Sequence, residues 1–250
     1  MIRPQSIRAT LNGYRPTNLR ARHITLIGIL LLCLLLSTPI LTVFSSIGQD
    51  SEGAWQHLAD TLLWSYIGQS LMLMLGVGLL VLLIGVAPAW LVTMTRFPGS
   101  RLLEWALVLP LAMPAYIIAY TYTGMLDVTG PVQGFIRDTF DLRFGDYWFP
   151  SIRSSGGAMA MLALVLYPYV YLLSRTAFLE QSVCVLEVSR TLGASPWRAF
   201  TRVAVPLARP AIFAGLSLVL METLADYGTV QYFGLSTFTT GIFRTWFGMG

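Results

Sequence analysis

Glu222 and Asp226 are the two acidic residues of a long apolar stretch late in the 250-residue chain. They stand four positions apart, on one face of any helix that holds both. An ionised carboxylate facing lipid costs about 2.5 to 3.5 kcal/mol at mid-span even on insertion scales, so both must face protein or water. Tyr167 and Tyr171 share a face in the same way. Carboxylate and phenolate oxygens suit a hard cation such as Fe(III), and a transit path lined by these four groups is one reading. The plainer one has Glu222 paired with an arginine or capping a broken helix near Gly228, while the tyrosines pack between helices.

Other chemistries are excluded by residue type. All 16 basic residues are Arg, so neither a phosphate-loop lysine nor a Schiff-base lysine exists, and no catalytic residue is assigned. If ATP drives the protein, another chain hydrolyses it; ATP-Mg then belongs to that partner and this chain binds no cofactor. His23 and His57 are 34 positions apart and Cys33 and Cys184 are 151 apart, so HExxH and CxxC spacings are missing and no metal site is assigned. A disulfide between Cys33 and Cys184 is not expected.

The elements that position these groups follow from composition. The chain is 55% hydrophobic and 11% charged, against about 25% charged in a soluble domain. That much apolar surface needs lipid as solvent, which excludes a soluble enzyme. The net charge of +4 comes from arginines parcelled out between apolar runs, a pattern of membrane orientation and not of nucleic-acid binding.

The pattern predicts an all-α, polytopic transmembrane bundle of five spans with its amino terminus in the cytoplasm. Residues 1–23 form a basic leader and 24–46 the first span, whose uncharged run Ile24 to Phe44 is long enough for a core of about 30 Å. The long leader and the lack of an Ala-x-Ala site argue against a cleaved signal peptide. A permease-like core, 67–231, holds four more spans. The second begins near Ile67, after an interfacial segment with Trp55, Trp64 and Tyr66. The third runs from about Trp105 to Met125 and is kinked by Pro110 and Pro114; the fourth, Gly156 to Ser174, holds Pro168. Between them a loop with Asp127, Asp138, Asp141 and Asp146 faces water. The fifth runs from about Pro210 to Gln231. Twelve arginines then fall inside, against Arg137, Arg143, Arg153 and Arg244 outside. Residues 232–250 form an external segment that stops short of a further span.

A loop at 180–209 is too apolar for a free linker and too charged for lipid. Glu187 to Leu192 reads as helix, Gly193 supplies positive φ just past its end, and Ser195-Pro196 places an N-cap before proline at the first helical position. The expected form is helix, sharp turn, short amphipathic helix. Such a helix fits a protein groove or rests on lipid headgroups.

Glu187-Val188-Ser189, Gly193 and Val203-Ala204-Val205-Pro206 resemble the EAA loop of binding-protein-dependent ABC importer permeases. Glu187, Gly193 and Pro206 match its pattern in identity and spacing; Val188 and Ser189 replace two alanines, and Val203 and Val205 replace Ile and Leu. The resemblance implies a type I importer bundle and a coupling helix from about Ser195 to Arg202, docked on an ATP-binding subunit. Glu187, Gly193, Ala194, Ser195, Trp197, Arg198, Phe200, Arg202 and Pro206 would form that coupling site, with Trp197 and Phe200 as apolar anchors and Arg198 and Arg202 as polar contacts. Tyr167-Pro168-Tyr169-Val170-Tyr171, Phe178-Leu179-Glu180-Gln181 and the segment from Glu222 to Val230 are similar to the ferric-iron branch of these permeases. Members of that branch commonly have two tandem halves, and this sequence reads as the first. The implied partners are an ATP-binding subunit dimer, a periplasmic substrate-binding protein, a second permease half and the bilayer of the bacterial inner membrane; no nucleic acid is implied. Thiamine and phosphonate permeases stay open as relatives. A rival of another class is an ATP-independent channel or carrier using Glu222 and Asp226 as ion sites.

Overall fold

The computed structural model describes residues 19–46, 60–143, 145–181, 188, 189, 191 and 193–248. It divides into two units, Met1–Trp55 and Gln56–Gly250. Among the described residues the first unit contributes one helix, α1 (Leu19–Ser46), which contains Pro39. The second holds every other described element, and no strand occurs among the described residues.

Helix α2 (Leu63–Met94) is apolar throughout and keeps Pro88 inside it. It starts before Ile67, because nothing between Leu62 and that residue breaks the hydrogen-bond ladder: the Tyr66 amide already donates to the Leu62 carbonyl at 3.0 Å. Trp64 and Tyr66 are thus helical and not part of an interfacial approach, and Tyr66 is buried. The expected third span is not one kinked helix. It is α3 (Ser100–Ala106), a 3₁₀ turn at Leu109–Ala112 and α4 (Ala115–Leu126), followed by α5 (Pro131–Phe140). Met113 and Pro114 are extended, with ψ of 132° and 139°. Proline disfavours helical geometry in the residue before it, so Pro114 breaks the path, and the two parts diverge by 99°.

Helix α6 (Ser155–Glu180) is capped by Ser154, whose Oγ accepts from the Gly157 amide at 3.1 Å, and retains Pro168. Helix α7 (Pro196–Ala225) follows the loop; α8 (Gly228–Tyr232) and α9 (Phe238–Gly248) complete the described chain. Among the described residues four helices, including α1, are long and apolar enough to cross a membrane, or five if the bent pair counts as one span.

Helix α6 is the centre of the second unit and packs on both α2 and α7. Val170, fully buried, sits at a close approach of α6 to both neighbours. A Cβ at Gly215 of α7 would stand 2.9 Å from Val170 Cα, and one at Gly85 of α2 would stand 3.1 Å from Val170 Cβ. Small residues permit this approach where lipid tails offer no hydrophobic drive between helices. One end of the bundle gathers the carboxyl ends of α2 and α6 with the start of α7. At the other, Ser70 Oγ accepts from the Phe238 amide at 3.1 Å and Thr239 Oγ1 donates to the Leu224 carbonyl at 2.8 Å, tying α9 to α2 and α7.

Candidate functional site

Gly193 takes φ +82°, the left-handed conformation expected at the turn, with the Ala194 amide donating to the Ser189 carbonyl at 3.0 Å. Ser195 then caps the next helix: its Oγ accepts from the Arg198 amide at 3.4 Å, with Pro196 at the first helical position. Glu187 lies outside the described residues.

The segment after the turn is not a separate short helix. Pro196–Ala199 is α-helical, Phe200–Ala204 is a π segment, and Val205–Ala225 continues as α-helix, so the proposed coupling segment forms the base of α7. The π register matches the chemistry of Pro206, which has no amide proton to give to the backbone carbonyl of Arg202 one turn earlier. The fifth span accordingly starts well before Pro210, which lies inside the helix.

Around this base the side chains divide by face. Trp197 is 70% exposed, and Arg198 and Arg202 are exposed beside it. Ala199 and Ala204 are buried on the opposite side, and Pro206 is half-buried. Phe200, expected as an outward anchor, turns inward and packs on Trp90 of α2, with ring centroids 5.3 Å apart. Only Trp197 of the two aromatics is free for a partner. Gln181, at the end of α6, donates from Nε2 to the Ala204 carbonyl at 2.9 Å and holds the π segment against that helix. Sequence reading passed over Trp90 and gave Gln181 no role of its own, since neither pairing has a spacing signature.

The acidic pair does not share a helix face. Helix α7 ends at Ala225, and Asp226 is extended, with φ −65° and ψ 129°. Its carboxylate accepts from Thr229 Oγ1 at 3.1 Å and from the Val230 amide at 3.0 Å, capping the turn into α8. Hence a cap forms near Gly228, but Asp226 makes it and not Glu222. The span therefore does not reach Gln231, and Glu222 is exposed. Tyr167 and Tyr171 do share a face of α6, and both are buried. The Tyr171 hydroxyl donates to the Glu104 carbonyl of α3 at 3.4 Å, and the Glu104 carboxylate pairs with Arg175 at 3.1 Å. Among the described residues no group of three or more His, Cys, Asp or Glu side chains could hold a metal ion.

Near the opposite end Asp127, just past α4, pairs with Arg153 at 3.0 Å. The Val128 amide and Arg153 hold its carboxyl below the ordinary carboxylate range, and Asp127 in turn raises the Arg153 guanidinium. Arg153 also lies over the Tyr232 ring, 5.9 Å from its centroid. A cavity of about 330 Å³ opens beside this pair, lined by Gln133, Tyr147 and Trp148 among others.

Residues 81–245, which include the Gly193 turn, the whole of α7 and the part of α2 from Val81 to Met94, match the family described as binding-protein-dependent transport system inner membrane component. The chain belongs to this family. Its members are transport components and not enzymes, and membership places this multi-pass chain in the inner membrane. The chain is 30% identical over 145 residues to the molybdenum transport system permease protein ModB of Haemophilus influenzae, covering 58% of this chain and 60% of that one. It is 27% identical over 206 residues to the sulfate transport system permease protein CysT of Escherichia coli, covering 82% and 72%, and 28% identical over 218 residues to CysW of the same strain, covering 87% and 72%. The chain spans about 60% of the length of the ModB relatives. These names carry molybdenum and sulfate, so they do not carry the ferric-iron branch expected from the sequence.

Proposed function

We propose that this chain is the membrane-spanning subunit of a bacterial ABC importer, moving a ligand delivered by a periplasmic binding protein by alternating access. The observation that carries the reading is the exposed face of Trp197, Arg198 and Arg202 at the base of a helix that runs on for 30 residues. A rigid aromatic anchor flanked by two guanidinium groups suits a groove on an ATP-binding subunit dimer. Displacement at that base is displacement of a whole span. The alternative of an ion carrier working through both acids is weakened by the Asp226 carboxylate, which is already engaged in the cap.

Trp197→Ala tests the docking role, since truncating such an anchor often costs about 2 kcal/mol or more of binding. The ATP-binding subunit should no longer copurify with the variant. Unchanged copurification, together with lost membrane association of the isolated loop peptide, would favour the headgroup role.

For the cargo, ferric iron is our reading, supported by the segments around Tyr167 to Tyr171 and Glu222 to Val230. A second reading, a molybdenum or sulfate oxyanion, is favoured by the names of the relatives. Uptake of radioiron, sulfate and molybdate by cells expressing the chain with its partners separates them; accumulation of either anion without iron sinks the ferric reading.

A further inference from the structure

Four aromatic rings stand in series at the Gly193 end of the bundle, from the surface into the core. Exposed Trp197 contacts Phe200, with centroids 5.6 Å apart and planes tilted by 42°. Phe200 contacts Trp90 at 5.3 Å and 45°. Trp90 meets Phe178 edge to face at 5.5 Å and 80°, and Phe178 is fully buried. Trp197 and Phe200 belong to α7, Trp90 to α2 and Phe178 to α6. Trp90 is the one ring in the series that touches both of the other helices.

Two features around the series favour transmission over simple filling. Phe200 opens the π segment, a stretch with wider turns than an α-helix and commonly associated with function. Gln181 pins the far end of that segment to α6 through the Ala204 carbonyl. A push on Trp197 therefore cannot be absorbed by free motion of the π segment, and packed rings at van der Waals contact yield little. We infer that Trp90 is a positioning residue that passes displacement of the Trp197 face into α2 and α6, so that one docking contact moves three helices together. This inference rests on the docking role proposed for Trp197.

The test uses the full chain assembled with its ATP-binding subunit in proteoliposomes, with the binding protein purified carrying its native cargo. Trp90→Leu should copurify with the ATP-binding subunit as wild type does. Its binding-protein-stimulated turnover should fall about tenfold with little change in KM for ATP, because the lost term is coupling and not nucleotide binding. Trp90→Phe, which keeps a flat ring, should restore turnover to within about twofold. Wild-type turnover in Trp90→Leu overturns the inference, as does equal impairment in Leu and Phe variants, which would mark Trp90 as packing only. Loss of the ATP-binding subunit from Trp90→Leu also overturns it, by making Trp90 part of the docking surface. If Trp90→Leu fails to reach the membrane, Phe200→Leu breaks the same series one ring earlier, with Phe200→Tyr as its ring-keeping control. Retention of the ATP-binding subunit by Trp197→Ala defeats the docking role and the relay with it, a failure distinct from those read in the Trp90 variants.

Discussion

Backbone strain and crowding are different reasons for a glycine, and Gly193 isolates the first. A Cβ there would meet nothing within 4 Å, yet φ is +82°. A β-branched residue resists that conformation, at about 1 to 2 kcal/mol for ordinary L-residues, whereas Asn tolerates it far better. Gly193→Val should therefore insert and accumulate normally but lower both transport and binding-protein-stimulated ATP hydrolysis, with Gly193→Asn close to wild type. Equal, wild-type hydrolysis in both would mean that the turn does not aim the base of α7. Local rules made this turn legible: Gly193, Ser195 and Pro196 act through their own backbone and nearest amides. The inward rotation of Phe200 was not legible, because it depends on Trp90, 110 positions earlier. Asp226 was ambiguous for a different reason. An acid in an apolar run is either an intramembrane site or a cap, and the choice lies with the Thr229 hydroxyl and the Val230 amide, which donate to the Asp226 carboxylate just past the end of α7.

At the scale of elements, hydrophobic run length located α2, α6 and α7, and erred where a single residue decided continuity. Pro168 stays inside α6 whereas Pro114 severs the 3₁₀ turn at Leu109–Ala112 from α4, although both look alike in sequence. The difference follows from neighbours: Pro168 is fully buried in α6 between packed helices, which hold the helix together around it. Close packing of α6 and α7 makes a sharper prediction. A Cβ at Gly215 would stand 2.9 Å from Val170 Cα and 3.1 Å from the Tyr169 carbonyl oxygen, both backbone atoms that cannot swing aside. A Cβ at Gly78 would meet only Leu216 and Leu220 methyl ends at 3.4 Å. Gly215→Ala should thus destabilise the detergent-solubilised protein by about 1 to 3 kcal/mol, the usual range for overpacking, while Gly78→Ala should change it little. Thermal unfolding of the two variants side by side checks this; equal melting points would refute the backbone contact.

Across the Gln56–Gly250 unit, the two ends of the bundle carry different polar groups, and Glu222 belongs to neither network. The ion pairs Arg153–Asp127 and Arg175–Glu104 lie elsewhere, and among the described residues no cation pairs with Glu222. Its exposed neighbours Leu218 and Met221 on α7 are apolar. A carboxylate on such a face is costly in lipid, by about 2.5 to 3.5 kcal/mol at mid-span, so in the assembled permease this face meets water or another chain. Glu222→Cys in a Cys33→Ser, Cys184→Ser background should therefore react with a small water-soluble thiol reagent in at least one nucleotide state. A dry Glu222, paired with an arginine of another subunit, predicts no labelling in any state and misassembly on Glu222→Ala. A Glu222→Ala variant that assembles and hydrolyses ATP but loses transport assigns the acid to the path. If transport also survives, Glu222 has no part in translocation.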